Sequence, residues 1–147
     1  MHDGPICGCG DTGCLEAFAS GPSIVAMAEE YIMGGKSTKY REMANGGTIT
    51  PFIVAEAAKA GDPVARRIFT RMGEYIGIGM ASVVNLLNPE RIIVGGGVAD
   101  AGDILLNPLK ETIKKRAMKI AGETVQVVPA QLGNTAGVIG ASLLIES

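Results

Sequence analysis

All three cysteines of this chain, Cys7, Cys9 and Cys14, fall within eight residues, and none follows downstream. One residue separates Cys7 from Cys9 and four separate Cys9 from Cys14, with Gly10 and Gly13 in the gap. Glycine admits positive φ, so the backbone can double back and turn three sulfurs towards one point. Zinc asks for such an arrangement: thiolate sulfurs at about 2.3 Å in a tetrahedron that one further ligand completes. Small buried hydrophobes in a tight turn are the plainer alternative, since free cysteine often behaves that way. A disulfide framework fits worse because three is odd. A catalytic thiol lacks support, the single histidine being His2 at the terminus. The expectation is a structural zinc turn at Cys7, Cys9 and Cys14.

Two more stretches carry candidate chemistry. Glu16 follows Cys14 by two residues, so a bound metal would fix its backbone and aim its carboxylate. An ionised carboxylate only accepts hydrogen bonds, which suits sugar hydroxyls, although a helix start would also favour glutamate there. Gly95-Gly96-Gly97 follows the apolar run Ile92-Ile93-Val94. Without Cβ atoms that backbone can lie against a flat adenine or a phosphate, and it would serve equally as a plain strand-to-helix turn. The segment Gly133 to Gly137, with Gly140-Ala141, sets small residues four apart, a spacing that predicts tight helix packing.

The elements that must position these residues read as follows. Leu15 to Ala19 predicts a short helical turn. Pro22 then suits the first turn of a helix, where its missing N–H is no loss. Ile24, Met27, Ala28, Tyr31 and Ile32 recur at helical spacing up to Gly34-Gly35. Residues 36–49 read as mostly loop. Thr50-Pro51 and Asp62-Pro63 each cap a helix, the second running to Leu87 before Asn88-Pro89. Its predicted apolar stripe is Val64, Ile68, Phe69, Met72, Ile76, Met80, Val83 and Leu87, and its three glycines imply close approach of another element. Arg91 to Val94 predicts a buried parallel strand, followed by a helix from Gly102 or Asp103 to Ala121, interrupted at Asn107-Pro108. Thr124 to Val128 predicts a second strand, and Asn134 the cap of a final helix towards Ile145. Strand and helix alternate, so the pattern is α/β.

At 147 residues this is one domain, large enough for a core. Nearly half the residues are hydrophobic, tryptophan is absent and aromatics are few, so Ala, Val, Ile, Leu and Met are expected to build it. A net charge of −2 leaves no basic footprint for nucleic acid. No apolar run is long enough for a membrane span, and no signal peptide is expected. Clustered thiols suggest a reducing compartment, with cytoplasm as the expectation.

The segment Cys7-Gly8-Cys9-Gly10-Asp11-Thr12-Gly13-Cys14-Leu15-Glu16, followed by Ala19-Ser20-Gly21, resembles the signature of the ROK family of repressors, open reading frames and sugar kinases. Ile92 to Val98 and Gly133 to Ala141 match later family segments in the same order. The resemblance implies the C-terminal lobe of the actin-like ATPase (ribonuclease-H-like) fold, carrying an N-terminal zinc turn. Residues 1–16 would be that turn, 17–88 a helical part and 89–147 a βαβα part on the nucleotide side. It further implies hexose contact by Glu16 and adenosine contact by Gly95, Gly96 and Gly97. Zinc would be a scaffold in a closed ligand set.

Family members are about twice as long. Their phosphate-binding loop, catalytic aspartate and fourth zinc ligand, a histidine, match nothing in this sequence. His2, water or a neighbouring chain would have to take the fourth position, or nothing would. The parent implied is a glucokinase-like hexose kinase using ATP and magnesium, with its catalytic aspartate in an absent N-terminal lobe. The alternatives are a sugar-responsive repressor and a stand-alone zinc-stapled interaction domain. Apolar surface left by absent strands makes a homo-oligomer the expectation.

Overall fold

The computed structural model describes residues 4–144, with only the backbone of Asn134. The segment after the cysteine turn forms α1 (Leu15–Phe18), α2 (Gly21–Met33), α3 (Lys39–Ala44), α4 (Pro51–Lys59) and α5 (Pro63–Leu87). Then come β1 (Arg91–Val94), α6 (Asp103–Arg116), α7 (Lys119–Thr124), β2 (Gln126–Pro129) and α8 (Ala136–Leu143), with single 3₁₀ turns at Ala99–Ala101 and Gly133–Thr135. β1 and β2 pair in parallel, Arg91 opposite Gln126 through Val94 opposite Pro129. The α/β order is as expected. No helix of the described residues is long and apolar enough to cross a membrane.

Local caps explain the sharpest boundaries. Ser20 and Ser23 bond reciprocally at the start of α2, the Ser20 N–H reaching the Ser23 hydroxyl at 2.9 Å. Thr50 accepts from the Ile53 N–H at 3.3 Å, and Asp62 from the Ala65 N–H at 2.7 Å. Each satisfies an N–H that the first turn leaves without a partner. Asn88, in the left-handed conformation, ends α5.

The packing divides into two adjoining clusters along α5. One gathers Ile24, Tyr40, Val54, Phe69 and Met72 among α2 to α5, and the other gathers Val84, Leu106, Leu109, Ile113 and Val127 against the sheet. Tyr40 and Phe69 thus join the aliphatic residues expected in the core. The glycines of α5 answer to close approach. A Cβ on Gly73 would lie 2.5 Å from the Leu105 carbonyl oxygen, and one on Gly77 would lie 2.6 Å from Thr112 Cβ. The backbones of α5 and α6 therefore meet where a side chain would keep them apart.

Several expectations are corrected. Residues 36–49 are mostly loop, as expected, but they include the short helix Lys39–Ala44, in which Tyr40 is fully buried, its hydroxyl donating to the Ala28 carbonyl at 3.1 Å. The buried line of α5 passes through Ala81 and Val84, while Leu87 is 68% exposed. α6 runs unbroken through Pro108, whose ring lies where Gly73 leaves room, and it stops at Arg116. Ala121, the end expected for that helix, falls inside the separate helix α7. β1 is parallel but not buried: Ile92 and Val94 face the core cluster while Ile93, on the opposite face, is 65% exposed. The last helix is capped at Thr135, whose hydroxyl donates back to the Leu132 carbonyl at 2.6 Å and not to the helix's first turn, and the end expected at Ile145 lies outside the described residues. Gly137 and Gly140 have no atom within 4 Å of a notional Cβ, so tight packing of that face is absent among the described residues.

Candidate functional site

The cysteine turn is a small hairpin. Ile6 and Thr12 form an antiparallel bridge, and the Cys7 N–H donates to the Asp11 carbonyl at 2.8 Å. The Gly10 N–H returns to the Cys7 carbonyl at 2.9 Å, with Gly10 at φ 90° and Gly13 at φ 73°. Both values favour glycine. The fold-back brings the three Sγ atoms within 4.8 Å of one another, and Cys9 Sγ is 3.6 Å from Cys14 Sγ. A zinc tetrahedron with about 2.3 Å bonds has sulfur–sulfur edges of about 3.8 Å, so the three residues fit the ion. No imidazole or carboxylate joins the group among the described residues. His2 lies outside the described residues.

The three differ in burial: Cys7 is buried, Cys14 half-buried and Cys9 exposed. The Asp11 backbone N–H, and then the Cys14 thiol, hold the Cys9 thiol below its ordinary pKa. The Cys14 thiol is pushed up to about 11, first by its hydrogen bond to Cys9 and then by desolvation. Three thiols this close share protons unless a cation replaces them.

Glu16 stands in the first turn of α1, with Oε2 3.9 Å from Cys7 Sγ. α1 is held against α5 by Leu15, which lies over Gly79, and by Phe18, whose ring centroid is 4.6 Å from that of Tyr75. Glu16 opens on a cavity of about 360 Å³ that Cys7, Ser20, Pro22 and Ser23 also line. The hollow is walled mainly by apolar groups, among them Pro5, Ile6, Ala17 and Ala26; the Ser20 and Ser23 hydroxyls are engaged in the α2 cap, so Glu16 is the carboxylate acceptor at its edge.

Gly95, Gly96 and Gly97 leave the end of β1 with Gly96 at φ 82°. They lead into the 3₁₀ turn at Ala99–Ala101 before α6. Gly97 lines a second cavity of about 730 Å³ with Gly21, Thr50, Val98, Asp100 and the outer side of α4. The two cavities thus flank one segment, Ser20 and Pro22 bordering the first and Gly21 the second. Sequence reasoning missed the α4 wall. Its only signal was Phe52, an apolar residue placed straight after the capping Thr50-Pro51.

The ROK family model matches residues 1–147. A glucokinase of Halalkalibacterium halodurans is 38% identical over 144 residues, 97% of this chain and 44% of that one. The crystal structure of a ROK family glucokinase from Streptomyces griseus, in complex with glucose and AMPPNP, superposes with a TM-score of 0.80 at 36% identity. That match covers 97% of this chain and 47% of the other. A ROK family transcriptional regulator, homologous to the Escherichia coli Mlc protein, superposes with a TM-score of 0.85 at 30% identity. It covers 98% of this chain and 36% of that one. The chain spans less than half the length of each of these relatives. With its three segments in family order and the match running from end to end, the chain belongs to the ROK family.

Proposed function

We propose that this chain is the sugar- and adenosine-binding half of an ATP-dependent hexose kinase of glucokinase type. The observation that carries the reading is the pair of cavities on either side of Ser20-Gly21-Pro22, one with Glu16 and the other with Gly97. Phosphoryl transfer needs acceptor and nucleotide held side by side, because positioning and electrostatics supply most of the catalysis. The likeness to a glucokinase that holds glucose and AMPPNP supports the assignment.

In this reading Glu16 accepts hydrogen bonds from the hexose, and Gly95, Gly96 and Gly97 lie against the adenosine. Residues 1–16 form the metal turn, 17–88 the helical part and 89–147 the nucleotide side. Cys7, Cys9 and Cys14 would hold a structural zinc, which would clamp the turn and so fix the start of α1. A general base would come from the preceding half of a longer protein, and magnesium would offset phosphate charge. Three unpaired thiols suit a reducing, cytoplasmic setting.

A repressor of the same family is the second reading, favoured by the TM-score of 0.85 to the transcriptional regulator. There the Glu16 cavity would sense a sugar without turnover.

A coupled ATP-to-ADP assay with a panel of hexoses separates these. This chain alone is expected to give no turnover above background, and mixing with a separately made N-terminal half should produce it. Turnover by the chain alone would contradict the divided site. Sugar binding without turnover in the mixture would favour the repressor.

A further inference from the structure

Resting on the nucleotide reading of Gly95, Gly96 and Gly97, we propose that Phe52 is the platform on which the purine base stacks. The first turns of α4 are then the wall of the nucleotide site opposite the glycine loop. α4 buries Val54, Ala55, Ala57 and Ala58, whereas Phe52 is turned away from that face and is 70% exposed. Core packing therefore does not account for an aromatic there, although the chain has only three phenylalanines. Phe52 lines the cavity of about 730 Å³ that Gly97 and Val98 border. At Gly97 no atom lies within 4 Å of a notional Cβ, so open backbone faces the cavity. An aromatic ring and a backbone without side chains, bordering one cavity, suit a flat heteroaromatic ring.

The polar groups of this cavity say which end of a nucleotide it takes. Its charged residues are Glu56, Asp100 and Lys59, and the Lys59 ammonium is already paired with Glu56 at 2.8 Å. That pair is neutral, which leaves the Asp100 carboxylate as the net charge of the lining, and it repels phosphate. It suits hydrogen-bond donors, namely ribose hydroxyls or an exocyclic amine. The base and sugar of the nucleotide lie here, with the phosphates directed away from Asp100.

The chain has no tryptophan, so Phe52→Trp places a single tryptophan at the platform, whose emission is excited selectively over that of the three tyrosines. Adenosine and ATP are expected to quench its emission. N-methylanthraniloyl-ATP followed by fluorescence anisotropy should bind Phe52→Ala about 10- to 100-fold more weakly than the wild type, the range for losing one base–aromatic stack. Phe52→Trp should retain affinity within about threefold. The melting temperature of Phe52→Ala should be unchanged, because the side chain is exposed. UTP should compete less well than ATP, its base offering less stacking surface.

Suppose instead that Gly97→Val abolishes binding while Phe52→Ala leaves it intact and Trp emission does not respond to ATP. The platform is then wrong and the nucleotide reading stands. Absence of any binding to the wild type at millimolar nucleotide overturns both. Quenching by glucose but not by ATP also overturns the platform, by assigning the cavity to sugar.

Discussion

Replacing Asp62 by alanine is expected to destabilise the chain by about 3–5 kcal/mol, a large part of what holds a domain together. Asp62 is 2% exposed and caps two helices at once. One carboxylate oxygen accepts from the Ala65 N–H at 2.7 Å at the start of α5, and the other from the Lys39 N–H at 2.6 Å at the start of α3. Hydrogen bonds to a charged acceptor contribute about 1.5–3 kcal/mol each, and alanine would leave both donors without a partner. Asp62→Asn keeps one acceptor and should lose roughly half as much. Urea unfolding followed by circular dichroism measures both, and a change below about 1 kcal/mol for alanine would show that the double cap does not hold α3 in place.

Metal removal is the second large effect. Purified protein is expected to carry close to one zinc per chain, with Cys9→Ser or Cys14→Ser losing most of it. Structural zinc in small sites contributes about 10–16 kcal/mol of binding free energy with four ligands. Three ligands among the described residues imply weaker retention and ready loss to a chelator. The turn feeds directly into α1, so chelation should loosen Leu15 from Gly79 and Phe18 from Tyr75 and lower the melting temperature. Cobalt substitution should give sulfur-to-metal absorption bands that disappear in either serine variant. Metal analysis finding none, with three freely titratable thiols in a native fold, would remove the zinc turn.

The parts of the fold that could be read from the sequence are those fixed locally. Asp62-Pro63 and Asn88-Pro89 bracket α5 because cap and stop are both written in adjacent residues. Arg91–Val94 was readable from its β-branched run. α3 was not, because six residues make a poor isolated helix and its support is distant: the Asp62 carboxylate and the Ala28 carbonyl. The run through Pro108 was hidden for the same reason. Proline in a helix interior costs about 3 kcal/mol, and what offsets it is burial of Leu105, Leu106, Leu109 and Ile113 against a partner helix. α8 misled in the opposite direction, since its small residues imply a neighbour and Val138 and Leu143 remain exposed. At the site, the cysteine cluster followed from spacing alone. The α4 wall did not, because only the tertiary fold brings Phe52 to the same cavity as Gly97.

The division of labour between the two cavities is tested most directly in the longer protein proposed above, by steady-state kinetics of Glu16→Gln and Gly97→Val. Glu16→Gln keeps the shape and removes the charge, so its sugar KM should rise about tenfold or more while the ATP KM stays within about twofold. Gly97→Val puts a branched side chain into the second cavity and should do the reverse. That crossed pattern is the result predicted. Equal losses on both substrates from both changes would mean general destabilisation and would contradict the separate sugar and nucleotide sites.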